Sequence, residues 1–268
     1  TLQHIKSKKV KNIFTNICDL MGTTGRIHIT EEPISQTEIK LSSGCQVSIC
    51  INKKFASLVK INNINFDYIK VCIIEGAPAS VSEINKLLMY CHEKRIALVL
   101  LARPYPEEVI NTLAVNWNNN KLKILPFIYG NDVYNINAHA DLASVSGAIP
   151  ISPMKGDSLQ VDLSDKFGSL LNFTNKGTYV TAKPTSDAGY LIKDLKNRLK
   201  LVDWSNHDKT EIISKRISDL SDKTLYVKVA KSAESWRIKN ELDIAIAFYN
   251  SYCNKAVIVK VGDSEIKF

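Results

Sequence analysis

Apolar and polar positions along the chain change period several times, and each change marks an element. Residues 96–101 are an uninterrupted aliphatic run, the pattern of a strand covered on both faces. Pro106 suits the first position of the helix that follows, and Glu107 and Glu108 suit the positive end of its dipole. Val109 and Leu113 then lie in one row, Ile110 and Ala114 in a second, with Val115 beside them. One row is enough to pack a helix on a sheet. The second is surplus apolar surface that needs its own explanation.

The same alternation surrounds this segment. Residues 69–74 read as a buried strand, and Val81, Ile84, Leu87, Leu88 and Cys91 mark a helix opened by Ser80 or Ser82 as a cap. Residues 122–128 give a third strand, 137–145 a helix and 148–152 a further strand. Strand–helix alternation of this kind predicts right-handed crossovers and an α/β fold with a mainly parallel sheet flanked by helices. Residues 170–173 and 178–182 form a predicted hairpin around Asn175-Lys176-Gly177.

Both ends of the chain follow other rhythms. Ile13, Ile17 and Leu20 have helical spacing before a break at Gly22–Gly25, and Ile27/Ile29 and Ile39/Leu41 alternate as two short strands. Gly44 is a candidate hinge, since glycine moves freely between backbone wells. Beyond residue 187, Leu191, Leu195 and Leu199 pair with Ile213, Ile217 and Leu220 as two helices, with a turn and cap at 205–208. A strand at 225–229, a helix at 235–252 and a last strand at 256–261 close the pattern.

Composition narrows the function classes. The 268 residues carry a net charge of +8, but the lysines are scattered beside Asn, Asp and Glu, without aromatic–basic interleaving, so no dedicated nucleic-acid site is expected. No apolar run reaches the ~20 residues of a membrane span, and the basic start is not followed by a signal-peptide core. A membrane partner is therefore not expected. The six cysteines form no C-x-x-C pair, which predicts buried free thiols in a reducing, intracellular compartment, and the histidines show no metal-ligand spacing. The abundance of Lys, Asn and Ile matches an AT-rich coding sequence. No G-x-S-x-G, G-x-G-x-x-G or phosphate loop is present. Asp243, taken alone, reads as a helix-surface acid.

Several of these residues also carry a family likeness. Val99-Leu-Leu-Ala102, Glu108, Thr112-Leu113 and Val115-Asn116 resemble the strand–helix segment of the apical domain of group I (GroEL-type, heat-shock) chaperonins. Residues 25–31 and 38–46 resemble the first intermediate-domain strands and the approach to that apical domain. Asp141-Leu-Ala143 and residues 147–152 resemble the later apical helix and strand. Arg216-Ile217 with Leu220, Val227-Lys-Val229, Glu234 and Asp243-Ile-Ala245 resemble the return through the intermediate domain.

The likeness implies an apical, polypeptide-binding domain over 44–229, flanked by two segments of an intermediate domain, 1–43 and 230–268. It implies a chaperonin subunit fragment that binds unfolded polypeptides and a co-chaperonin loop, and forms a ring homo-oligomer when full-length. The groove residues carried over are Ile51, Phe55 and Ala56 from an extended segment, Asn85 and Leu88 from a first helix, and Ile110, Ala114 and Val115 from a second. The hinges are Gly44 and Ala230. Asn52, Ala56 and Asn85 make the groove more polar or smaller than the family pattern, Ala230 stands where a glycine is expected, and residues 126–132 keep only part of a glycine-rich turn.

The resemblance implies no cofactor on this chain, and ATP with Mg in a full-length parent, since the equatorial nucleotide domain has no counterpart in this sequence. Asp243 matches the acid that supports ATP hydrolysis in the family. The expected compartment is the cytoplasm or an organelle matrix, mitochondrial or plastid. Two other readings stay open: a structural or adaptor protein on a chaperonin scaffold, and an α/β enzyme with Glu75, Arg103 and Asn131 at the carboxyl ends of its strands.

Overall fold

The computed structural model describes residues 7–21, 26–60, 64–130, 132, 136–160, 164–202, 206–221, 223–253, 258–261 and 264–267. The predicted break at Gly22–Gly25, Asn131 and Ser205 lie outside these residues. In chain order the elements begin with α1 (Lys8–Met21), β1 (Arg26–Glu32), β2 (Glu38–Ser43), β3 (Cys45–Val47), β4 (Cys50–Ile51), α2 (Lys53–Val59) and β5 (Asn65–Ile73). There follow α3 (Asn85–Lys94), β6 (Ala97–Ala102), α4 (Glu107–Asn118), β7 (Lys123–Ile128), α5 (Ala138–Ser146), β8 (Gly168–Asn175) and β9 (Val180–Pro184). The last are α6 (Gly189–Leu201), α7 (His207–Leu220), β10 (Lys223–Ala230), α8 (Ser235–Cys253), β11 (Ile258–Val261) and β12 (Ser264–Lys267).

The chain divides into two compact units, residues 44–222 and residues 1–43 with 223–268. The second division comes ahead of the expected boundary at 229/230 for a reason of strand pairing. β10 is the middle strand of the smaller unit, parallel to β1 and antiparallel to β2, and its whole length belongs there. Ala230, the expected second hinge, is therefore the last residue of a paired strand, opposite Glu32, with its N–H donated to Thr37 Oγ1 at 3.4 Å.

In the smaller unit α1 and α8 supply Val10, Phe14, Ile17, Ile238 and Leu242 to a core completed by Leu225, Val227 and Val229 of β10. The alternation of Leu225, Val227 and Val229 is the period-2 pattern of a strand with one face on the helices. The final strand expected near 256–261 is half of a two-stranded antiparallel ribbon, β11 with β12.

In the larger unit, seven strands among the described residues form one mixed sheet in the order β3-β9-β8-β5-β6-β7-β4. The expected parallel arrangement holds for β5, β6 and β7. The strands beyond them run antiparallel: β8 against β5, β9 against β8 in a hairpin, and β4 against β7. Only the three long crossover strands had the helices needed for parallel pairing. Residues 148–152 do not form a strand; Ile151 makes an isolated parallel bridge to Ile74. Ile69, Leu98, Leu100, Leu101, Phe127 and Phe173 are fully buried at the centre of this sheet.

Two glycines fix close approaches. Gly44 has φ +142°, and a Cβ there would stand 3.1 Å from the Ala182 carbonyl oxygen. At Gly168 a Cβ would meet the Ala148 nitrogen and the Ser146 oxygen at 2.5 Å, so β8 passes α5 only as glycine.

Candidate functional site

The surplus apolar row of α4 is covered by a helix that its own sequence conceals. Residues 51–56, expected to be extended, are extended only through Ile51 in β4. Asn52 then caps α2, its Oδ1 accepting the Phe55 N–H at 3.1 Å. Asparagine is a strong N-cap because its side chain satisfies an orphan amide of the first turn. That residue, read from sequence as a polar departure, is what starts the helix.

α2 lies on α4. Phe55 is 0% exposed and meets Trp117 edge-on, ring centroids 5.9 Å apart. Lys54 pairs with Glu107, and Asn118 Nδ2 donates to the Leu58 carbonyl at 3.4 Å. Ile110 and Ala114 are 2% and 3% exposed as a result. They are core, and so is Leu88 at 8%.

On its other flank α4 runs beside α3 in the same direction. At the starts of the two helices the Val81 N–H donates to Glu108 Oε1 at 3.4 Å. At their ends His92 Nδ1–H donates to the Lys121 carbonyl at 3.2 Å. Glu107 and Glu108 thus face opposite neighbours. Glu107 is held below the ordinary carboxylate range by the Lys54 ammonium, which both bonds and attracts it. Neither Ser80 nor Ser82 caps α3; the helix begins later, at Asn85 behind Ile84, with no side-chain cap. Pro106 precedes α4 as its cap residue, one position before the expected place.

The solvent face of this three-helix layer combines residues predicted and missed. Val115 is 59% exposed, as its place beside the two buried rows requires. Asn85 is exposed, with its Nδ2 3.8 Å from Met89 Sδ. Ile51 and Ala56 are half-buried. The sequence reading missed Met89, 53% exposed, and Leu58, 44% exposed. Their signal was available: Met89 follows Asn85 by four, and Leu58 follows Phe55 by three, so each shares a helix flank with a residue already chosen. The structure therefore gathers Leu58, Met89 and Val115 on α2, α3 and α4, and withdraws Phe55, Ile110 and Ala114 beneath them.

At the far end of the α3–α4 seam an open cavity of about 730 Å³ is lined by His92, Glu93, Arg95, Lys121 and Lys123, among others. Cys91 also lines it, and burial pushes that thiol up to about 12, so it stays protonated and unreactive. Glu75 and Arg103, expected at the carboxyl ends of the strands, lie on neighbouring segments, the Arg103 N–H donating to the Gly76 carbonyl at 2.8 Å. Glu75 reaches Lys155 at 4.0 Å, while the Arg103 guanidinium lies 5.7 Å from the Tyr129 ring centroid. In the smaller unit Asp243 is exposed on α8. Among the described residues no group of three His, Cys, Asp or Glu could hold a metal ion, and no helix is long and apolar enough to cross a membrane.

No protein-family model and no curated protein matches the chain. Solved structures do. The chaperonin gp146 from bacteriophage EL 2 (Pseudomonas aeruginosa), crystallised with ATP-BeFx in two crystal forms, superposes with a TM-score of 0.67 at 14% identity. The match covers 93% of this chain in one form and 94% in the other, and 50% of the gp146 chain in both. The chain has a chaperonin fold. It spans about half the length of the chaperonin it matches, and both of its compact units fall within a match of that extent.

Proposed function

We propose that this chain is the apical and intermediate part of a divergent, group I-like chaperonin subunit, and that it binds non-native polypeptides across the face of α2, α3 and α4. The observation that carries the reading is the set of exposed apolar side chains Leu58, Met89 and Val115 on three adjacent helices of a chaperonin fold. Non-native chains expose apolar side chains of no fixed sequence, and a row of half-exposed aliphatic groups without directional hydrogen bonds binds them without sequence selection.

Magnitudes favour weak contacts multiplied in a ring. Fully burying an aliphatic side chain gives about 1.5–3 kcal/mol, so three half-exposed ones contribute roughly 3 kcal/mol in all. Association costs at least that much, so these contacts alone give a single copy only weak binding. Several copies around one cavity convert the same contacts into useful avidity. A ring of full-length subunits is the assembly this chemistry needs, and a co-chaperonin loop with exposed aliphatic residues would compete for the same face.

The nucleotide chemistry lies with the rest of such a subunit. In this reading ATP and Mg belong to the equatorial part of a full-length subunit. Asp243, exposed on α8, is the residue of this chain that would assist hydrolysis in the longer protein.

The test is aggregation of a denatured client followed by light scattering, with the chain in large excess and no ATP. Val115→Glu with Met89→Glu should abolish protection while circular dichroism stays unchanged, because both residues are solvent-exposed. Equal protection by wild type and double variant would remove the site. A second reading, an adaptor on a chaperonin scaffold, is favoured by the exposed Asn85 and by the burial of Ile110 and Phe55, which shrink the apolar face. It predicts no protection by either protein.

A further inference from the structure

The face proposed for client binding is electrically uneven along its length. At the start of the α3–α4 seam the charges are satisfied: Glu107 by Lys54, and Glu108 by the Val81 N–H. At the other end, three cations, Arg95, Lys121 and Lys123, line the 730 Å³ cavity with Glu93 as the one carboxylate among its lining residues. None of the three pairs with a carboxylate among the described residues; Lys123 donates to Asn120 Oδ1 at 2.7 Å. Two helix C-termini end here, at Lys94 and Asn118. Their carbonyl ends together take back about one unit of positive charge, and a cationic excess remains.

Backbone geometry holds these cations in place. Arg95 and Asn120 both adopt left-handed conformations, with φ of 51° and 54°, and each reverses the chain out of its helix. The Lys123 ammonium stands 4.8 Å above the Trp117 ring, and the same indole meets Phe55. The half-buried Trp117 thus touches both the buried Phe55 of α2 and Lys123 at the basic end. His92, bonded to the Lys121 carbonyl, closes the wall between the two helix ends.

We infer that this basic cavity is a second anchor of the same site, and that it selects polypeptide segments in which acidic residues follow a cluster of apolar ones. The inference rests on the polypeptide-binding reading above. An apolar stretch lies along Leu58, Met89 and Val115, and Asp or Glu side chains beyond it enter the cavity among Arg95, Lys121 and Lys123. The carboxylates gain the attraction of three cations, which added salt screens. A segment carrying lysines at those positions meets like charge and is rejected, so the seam discriminates by repulsion as well as attraction.

The experiment titrates the isotope-labelled chain by NMR with three peptides that share one apolar cluster and end in three glutamates, three glutamines or three lysines. At low salt the glutamate peptide is expected to bind about tenfold more tightly than the lysine peptide, with the glutamine peptide between them. Raising the salt should collapse the difference. In Arg95→Glu with Lys121→Glu, two exposed positions, the order should reverse while the glutamine peptide binds as before. Equal binding of all three peptides to wild type overturns the charge anchor and leaves the apolar site standing. A glutamate preference that survives in the double variant overturns the assignment to this cavity. Binding of none of the peptides overturns both readings together.

Discussion

The ring of Phe55 meets the ring of Trp117 edge-on, with centroids 5.9 Å apart and planes 80° to one another. Through this contact α2 covers α4 and turns its second apolar row from surface into core. The edge of one ring on the face of another is the favoured electrostatic arrangement, worth about 0.5–1.5 kcal/mol beyond the area buried. Which apolar residues remain free to bind a partner follows from this packing.

The first prediction separates floor from face. Phe55→Ala should cost about 3–5 kcal/mol and Ile110→Ala about 2–5 kcal/mol, since both leave cavities under α2. Val115→Ala should change stability by no more than about 0.5 kcal/mol, because its side chain is mostly in water. Urea unfolding followed by circular dichroism measures all three. An Ile110 variant as stable as the Val115 variant would contradict the burial of the second row.

This contrast also shows what could be read from the chain. Element types followed directly from period: the aliphatic run 96–101 meets β6 to within one residue at each end, and the Leu191/Leu195/Leu199 stripe and the alternation of Leu225, Val227 and Val229 lie in the elements they predict. Partners were harder. Ile110 and Ala114 announce a second contact face, and nothing local says whether a client or a neighbouring helix occupies it. The answer sits in Asn52, whose capping role depends on the backbone turning at that point. Ser80 and Ser82 carry the same capping chemistry and start no helix. Residues 148–152 have strand composition but make only one bridge, because β8 already occupies that side of β5.

The second prediction concerns the ion pair between α5 and α7. Arg216 Nε and Nη2 donate to Asp141 Oδ2 and Oδ1 at 3.1 and 2.6 Å, and both side chains are largely buried. Removing one partner leaves an uncompensated charge, so Arg216→Met should cost about 3–5 kcal/mol. Replacing both, Arg216→Met with Asp141→Leu, should recover much of that loss. A double variant as unstable as the sum of the singles would give zero coupling in the double-mutant cycle and would contradict the pair.

The third prediction is a pH dependence at Asp157. Its carboxylate accepts the Lys166 ammonium and, at 2.9 Å, the Ser152 N–H. Both interactions, the lysine first, hold its pKa below the usual 3.8. The folded value lies below the unfolded one, so the unfolded state binds more protons between them. The stabilisation is therefore complete above about pH 4 and is lost as the pH falls through the folded value. Asp157→Asn should lower stability at neutral pH and flatten the acid limb of a urea-midpoint profile from pH 6 to 2. Parallel acid limbs for the two proteins would contradict it.

The fourth prediction addresses the two expected hinges. Gly44→Ala should destabilise by more than about 1 kcal/mol, because φ is positive and the new methyl crowds Ala182. Ala230→Gly adds freedom inside a paired strand and should cost about 0.5–1 kcal/mol. Thermal unfolding of both variants measures the pair. A stabilising Ala230→Gly would show that this strand end is strained.

The central claim is that clients lie on α2, α3 and α4 across Leu58, Met89 and Val115. Site-specific photo-crosslinking tests it most directly, with benzoylphenylalanine placed at position 115 and, as a control in the same unit, at position 190, where Tyr190 is 86% exposed. An unfolded, radiolabelled client should crosslink at position 115 and not at position 190, and an excess of unlabelled apolar peptide should suppress the product. Equal crosslinking at both positions, or crosslinking at 190 alone, would contradict the site.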